Sequence, residues 1–490
     1  MAQKAKTESI KKNYIYNTLY QILTLIAPLI TAPYVFRVLG SDGVGIYGYT
    51  NSIVTYFTLF AALGTASYGE REIAMHRDNP EESARLFWEI ELLSITTTGV
   101  ALLAWIGWVF LSSNYSSYYA VLSLSVIAVA FDISWYFAGY EKFKYIVIRN
   151  TLVKLAGIVL LFLFVRHKSD TLLYIGIMAA TGLIGNISMW TYLPKVLTSV
   201  DIRSLHPFQK HFKQTLAYFI PTIATSVYTV LDKTMIGAIT KAASENGYYE
   251  AATKVIRMVE SLIFSLNTVM SARQSYLFSE GRLDEVREKI HKSFDFLIAL
   301  AIPFMFGIIG IAANFVPWFF GKGYEPVILI MSAMAPLPLV ICISNVLGSQ
   351  YLTPSGQRAR STKGIVAGAI TNLILNAIMI PKYGAVGATL ASVVAEAVIS
   401  IIYVHMSKEY ASWKQIGKIS WKKLIAGFIM FLAVWMIGRG QSGRIMITLV
   451  QIIAGAAVYA FVLWILRDTF MTYALNLIKV RFGGRIKWLN

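Results

Sequence analysis

Apolar runs of about twenty residues recur along the whole chain, separated by short polar breaks. They fall at 13–38, 44–66, 86–111, 116–138, 147–165 and 171–193, then at 213–238, 247–270, 293–312, 325–350, 364–380 and 387–405. Two more lie at 424–438 and 445–466. A helix rises about 1.5 Å per residue and satisfies its own backbone, so a run of this length crosses the ~30 Å hydrocarbon layer of a bilayer. The pattern predicts an all-α integral membrane protein with about fourteen transmembrane helices. The run 424–438 is short, and reaches spanning length only if Lys422 and Lys423 snorkel to the interface. The first run is too long for a cleaved signal peptide and is read as the first span.

Composition agrees with that pattern. Of 490 residues, 56% are hydrophobic and 14% charged, against roughly 25% charged in soluble domains. No soluble catalytic domain fits between the runs. Cys342 is the only cysteine, which excludes an internal disulfide and a cysteine-cluster metal site. No phosphate-binding GxxxxGK[ST] motif occurs, and no metal or cofactor is expected.

The net charge of +18 changes meaning once it is located. With the N-terminus inside, 31 of the 44 Lys and Arg fall on cytoplasmic segments and 7 on outer loops. This is the positive-inside bias, so the charge reflects topology and a nucleic-acid partner is excluded. Both ends are expected on the cytoplasmic side of the membrane, with 467–490 as an interfacial tail on the inner leaflet. The outer loops are short and their acids, Asp42, Asp170, Glu245 and Glu325, are scattered, which disfavours a membrane glycosyltransferase or polymerase.

Two parts of the chain repeat one another. Arg37-Val-Leu-Gly leads into Gly45-Ile-Tyr47, and Met235-Ile-Gly leads into Gly247-Tyr-Tyr249. Six spans precede the second copy, so the expected plan is two six-helix lobes plus two further helices. Residues 1–193 form the N-terminal lobe, 194–405 the C-terminal lobe, 406–466 the added pair and 467–490 the tail. Repeats with a site between them are a common transporter plan.

At this point the stretch Arg37-Val-Leu-Gly-Ser-Asp-Gly-Val-Gly-Ile-Tyr47 resembles the first outer turn of bacterial polysaccharide repeat-unit flippases, the Wzx-type polysaccharide transporters. Leu231-Asp-Lys-Thr-Met-Ile-Gly, Gly247-Tyr-Tyr, Leu347-Gly-Ser-Gln-Tyr-Leu-Thr-Pro-Ser-Gly and Tyr383-Gly-Ala-Val-Gly-Ala-Thr are similar to later family motifs and occur in family order. The resemblance implies the multidrug/oligosaccharidyl-lipid/polysaccharide exporter superfamily and a central cavity that opens to alternate sides. It implies a substrate too, an undecaprenyl-pyrophosphate-linked oligosaccharide moved from the inner to the outer leaflet of the bacterial cytoplasmic membrane. Partners implied are the lipid bilayer, a polysaccharide polymerase and the chain-length machinery. The rival readings are a peptidoglycan lipid-precursor flippase and a multidrug/cation antiporter of the same superfamily.

An ionisable side chain inside a bilayer is costly and needs a reason. On the eighth span, Glu250, Lys254, Arg257, Ser261, Ser265 and Thr268 share one helical face, with Arg257 roughly 15 Å deep at 1.5 Å per residue. Either they form a cationic cavity wall, or Glu250 and Glu260 simply neutralise Lys254 and Arg257. With the resemblance, the wall reading has Lys254 and Arg257 meeting pyrophosphate oxygens, which suits the guanidinium fork. The seventh span carries Tyr218, Thr222, Thr225, Thr229 and Asp232, and the first carries Asn17, Gln21, Thr24 and Thr31. These stripes either line a wet cavity or join packed helices. Arg37, Lys233, Lys254, Arg257, Thr24, Thr225 and Ser261 are the substrate-binding candidates. Energy would come from Na⁺ or H⁺ coupling or from removal of the product. Asp232 with Asn372 and Asn376 is the candidate cation cage, and Glu396 the candidate proton carrier. Asp132 and Lys154 are expected to form a structural ion pair.

Overall fold

The computed structural model describes residues 2–193, 197, 200, 205–441 and 443–482. Within its helices, the side chains of 2–19, 21, 22, 25, 220–229, 262–269 and 477–482 lie outside that description. The described chain is helical with no strand, and divides into two compact units, Met1–Gly247 and Tyr248–Asn490.

The first unit holds α1 (Ala2–Ala62), α2 (Thr65–His76), α3 (Pro80–Leu111), α4 (Ser116–Ile127), α5 (Ser134–Gly139), α6 (Phe143–Phe164), α7 (Thr171–Met189) and α8 (Pro207–Thr240). Helix α9 (Ala243–Ser279) begins in the first unit and continues into the second. The second unit adds α10 (Leu283–Phe319), α11 (Pro326–Met334), α12 (Leu337–Leu347), α13 (Arg358–Met406), α14 (Trp413–Gly438), α15 (Ile445–Ile465) and α16 (Thr469–Phe482). Among the described residues, nine helical segments are long and apolar enough to cross a membrane. Large apolar side chains such as Phe110, Leu111, Met436 and Ile453 face outward from them, as a lipid-facing surface requires.

Two glycines divide long helices in two. Gly40 in α1 has φ 70° and ψ 177°, a conformation open almost only to glycine. Gly384 in α13 has φ 54° and ψ −130°. These breaks separate the runs 13–38 from 44–66 and 364–380 from 387–405. The repeated Gly-x-Tyr turns also meet in space within the first unit. A Cβ added to Gly45 would lie 1.7 Å from the Ala243 carbonyl oxygen, and one on Gly247 2.0 Å from that of Ser41. Only glycine permits backbones to approach so closely.

Helix α3 starts as its sequence dictates. The Asn79 side chain accepts the Glu82 N–H at 3.3 Å, Pro80 occupies the first turn, and Glu81 and Glu82 complement the positive end of the helix dipole. Its buried face packs Phe87 against Trp135, Tyr136 and Trp190, while Gly69 of α2 leaves room for the Trp135 ring. The run 116–138 is not one smooth helix. A 3₁₀ turn at Ala128–Phe131 separates α4 from α5, leaving carbonyls without helical donors. Asn186 donates to the Ala128 carbonyl at 2.7 Å and Trp190 Nε1 to that of Phe131 at 3.0 Å, so the break is satisfied from α7 and the turn that follows it.

In the second unit, α14 and α15 pack directly on α10. Gly427 seats against Ile302 and Phe306, and Gly310 and Gly455 both against Val434. Asn314 donates to the Gly438 carbonyl at 3.2 Å, Gln451 to that of Val434 at 2.8 Å, and the Tyr459 hydroxyl to that of Ala299 at 3.1 Å. Helix α14 gains its length by starting at Trp413, and Lys423 does not snorkel. It is fully buried, with Nζ donating to Asp295 Oδ1 at 2.7 Å, Asp468 Oδ2 at 3.0 Å and the Ile419 carbonyl at 3.0 Å. Two carboxylates from distant segments reach it, and each of its three N–H donors finds an acceptor.

Candidate functional site

Each unit carries part of the expected polar stripes. In the first, Arg37 is exposed and Thr24 half-buried on α1. The Thr31 hydroxyl donates back to the Ala27 carbonyl at 2.9 Å, so that member of the stripe is satisfied within its own helix. Asp232 is buried on α8, and Lys233 beside it is half-buried. The Lys233 carbonyl accepts the Asn246 amide at 3.0 Å, tying the end of α8 to the start of α9. One residue further on, the Thr234 hydroxyl donates to Ser52 at 2.9 Å and meets the Tyr56 hydroxyl at 3.0 Å, which fixes α8 against α1. Asn17, Gln21, Thr222, Thr225 and Thr229 lie on these helices, but their side chains are outside the described residues.

In the second unit, Arg257 is exposed on α9 while Lys254 is half-buried. Glu260, three residues beyond Arg257, lies within electrostatic reach of both Arg257 and Glu396. Glu260 therefore feels charges from both α9 and α13, a relation that sequence spacing alone does not give. The Ser261 hydroxyl donates to the Met258 carbonyl at 2.7 Å, again within its own helix. The side chains of Ser265 and Thr268 are outside the described residues.

Asn372 and Asn376 are both fully buried. Asn376 donates to Asn372 Oδ1 at 3.0 Å, and Asn372 to the Ser392 hydroxyl at 3.3 Å. Those amides join the two halves of α13 across the Gly384 break. Asp232 belongs to the first compact unit and the asparagines to the second. The expected ion pair on helices four and five is corrected: Asp132 lies 3.9 Å from Arg149 Nη2. Arg149 stands nearly one and a half turns before Lys154 on α6, on the side that faces the break between α4 and α5.

Residues 10–271 match the family described as "Polysaccharide biosynthesis protein". The chain belongs to that family. Relatives agree with the placement. The chain is 24% identical over 396 residues to the "Putative O-antigen transporter" of Escherichia coli (strain K12), covering 80% of this chain and 95% of that protein. It is also 24% identical over 294 residues to the "Probable low-salt glycan biosynthesis flippase Agl15" of Haloferax volcanii, with 59% of this chain and 61% of that one covered. Among solved structures, the fold matches the inward closed conformation of the lipid II flippase MurJ with a TM-score of 0.71 at 18% identity, over 93% of this chain and 98% of that one. An inward-facing multidrug transporter of the MATE family in the MOP superfamily matches with a TM-score of 0.63 at 12% identity, over 83% and 95%. At these identities the structural likeness concerns the fold. The family is one of multi-pass membrane transporters.

Some polar groups of this family member escape a reading of the sequence. Glu89, Glu91 and His211 sit in or beside runs taken as apolar, and all three are buried. His211 Nε2 is 2.8 Å from Glu89 Oε2, and its Nδ1 is 2.8 Å from the Tyr68 hydroxyl. The signal available in the sequence was two glutamates, 89 and 91, inside a single spanning run.

Proposed function

We propose that the protein is a flippase that moves undecaprenyl-pyrophosphate-linked oligosaccharide repeat units from the inner to the outer leaflet during assembly of a cell-surface polysaccharide. The observation that carries this reading is the family match over residues 10–271, and relatives named as an O-antigen transporter and a glycan flippase support it. The chain crosses the cytoplasmic membrane about fourteen times with both ends inside, as the Lys/Arg asymmetry argues. The headgroup enters a polar cavity, the polyprenyl tail stays in lipid, and the cavity opens to alternate sides. Arg257, exposed on α9, donates to the pyrophosphate through its fork, with Lys254 about one turn before it adding charge. A positive wall of this kind repels the cations that a multidrug antiporter carries.

In inside-out vesicles loaded with an undecaprenyl-pyrophosphate-linked sugar, Arg257→Ala is expected to lower flipping roughly tenfold or more while the protein stays in the membrane, and Arg257→Lys to restore it only in part. Normal flipping by a membrane-resident Arg257→Ala protein would remove Arg257 from the site. A second measurement addresses the coupling ion. If the Asp232 carboxylate takes up Na⁺, replacing Na⁺ by choline at fixed pH slows transport, and Asp232→Asn loses that response before it loses substrate binding. Transport indifferent to the swap assigns coupling to a protonatable carboxyl, with Glu396 as the candidate.

A further inference from the structure

Two carboxyl groups only two residues apart on α3 have opposite surroundings. Glu89 takes donors from every side: His211 Nε2 at 2.8 Å, the His206 N–H at 3.2 Å, Arg85 Nε at 3.2 Å and Lys210 Nζ at 3.4 Å. Glu91 is equally buried, at 1% exposure, and neither of its oxygens has a hydrogen-bond partner. An ionised carboxylate held this way would lose its hydration with no compensating donor, which costs several kcal/mol at least. A proton removes the charge and most of that cost.

The elements packed on α3 show where such a proton could go. The facing stretches of α1 (44–62) and α4 carry no charged residue. From α2, the Tyr68 hydroxyl is spent on His211 and Gln214, and from α8, His211 and Lys210 face Glu89. Among the described residues, Asp132, in the break between α4 and α5, lies within electrostatic reach of Glu91. The Asp132 side chain is 42% exposed, accepts the Ser134 N–H at 3.0 Å and stands 3.9 Å from Arg149 Nη2. Arg149 in turn donates from Nη1 to Asn186 at 2.9 Å, and its buried Nε has no acceptor. A sealed carboxyl group thus lies within electrostatic reach of an open one, which sits where the helix is already unwound.

We propose that Glu91 is a proton-binding site of the first unit, protonated at neutral pH, and that Asp132 is the relay connecting it to solvent. In the exchange, Glu91–COOH gives its proton to water entering at the unwound break and becomes Glu91–COO⁻, Asp132–COO⁻ takes a proton from that water and becomes Asp132–COOH, and Asp132 then passes the proton to solvent. Each time Asp132 is protonated it gives up its charge interaction with Arg149. Proton occupancy therefore bears directly on how α6 and α7 hold the helix break.

Infrared spectroscopy of the full-length protein in lipid nanodiscs tests this without any transport assay. At neutral pH, the wild-type spectrum minus that of Glu91→Gln should contain the C=O stretch of a protonated carboxyl group, whereas subtracting Glu89→Gln should not reveal one. Glu91→Met, of similar volume and without a polar group, should show the same missing band and serves if Glu91→Gln does not fold. In Asp132→Asn the Glu91 band should remain, but its shift on transfer to D₂O should slow roughly tenfold or more. A spectrum in which neither Glu91 variant lacks a protonated carboxyl band overturns the site. Unchanged exchange in Asp132→Asn overturns the relay.

Discussion

Gly45→Ala is expected to cost the protein most of its thermal stability, while Gly417→Ala leaves it unchanged or slightly raised. Both glycines are helical, so propensity alone favours alanine at each by roughly 0.5–1 kcal/mol. The difference lies in what the new methyl group meets. At Gly417 there is open space, whereas at Gly45 the Cβ would stand 1.7 Å from the Ala243 oxygen and 2.6 Å from its carbonyl carbon. Ordinary over-packing costs about 1–3 kcal/mol because side chains can give way. Here the obstacle is main chain at the start of α9, so the two turns must separate and the cost should exceed that range. Gly247→Ala should behave like Gly45→Ala, because its obstacle is the Ser41 carbonyl. Thermal melts of the purified protein, followed by tryptophan fluorescence, measure this. A Gly45→Ala midpoint equal to that of Gly417→Ala would show that the turns are not held in contact.

Lys423→Met is the second large effect, and its signature is recovery by neutralisation. Removing the ammonium leaves Asp468, with its side chain 2% exposed, and Asp295, 22% exposed, facing each other without the cation between them. Breaking a buried ion pair on one side costs about 3–5 kcal/mol, whereas replacing all its members by neutral groups is close to neutral. The triple change Lys423→Met with Asp295→Asn and Asp468→Asn should therefore melt near the wild-type temperature. Asparagine is chosen at 468 because Asp468 Oδ1 also accepts the Phe470 N–H at 3.0 Å at the start of α16, and Asn fills that role. Cys342 is fully buried and lies in the same unit, so a thiol-reactive dye reports this unfolding directly. If the single substitution melts like the wild type, the triad does not hold α10, α14 and α16 together.

These two sites were visible in the sequence to very different degrees. Gly45 and Gly247 stood out as a repeated turn, because a close backbone approach demands glycine and glycine recurs where the fold repeats. That the two turns dock on each other could not be read, since their contact joins residues some two hundred positions apart. Lys423 was misread altogether. A lysine at the edge of an apolar run ordinarily snorkels, and the reason it does not here lies in Asp295 and Asp468, far away along the chain.

The same distinction holds for the charged groups of the candidate site. Spacing placed Lys254, Arg257 and Ser261 on one face of α9, since helical periodicity is a local property. It did not show that Ser261 satisfies itself on Met258, or that Glu260 lies within electrostatic reach of both Arg257 and Glu396. Glu89 and Glu91 look alike in the run 86–111, and only folding brings donors to one and none to the other.

What the sequence determined by itself is the class, an all-α multi-pass membrane protein. Hydrophobic length is a one-dimensional quantity, and lipid forces the backbone that crosses it into helices. What the tertiary structure decided is the state of each polar group within those helices. A carboxyl, amide or ammonium in a low-dielectric interior takes its charge and its role from the partners within a few ångströms, and those partners come from anywhere in the chain.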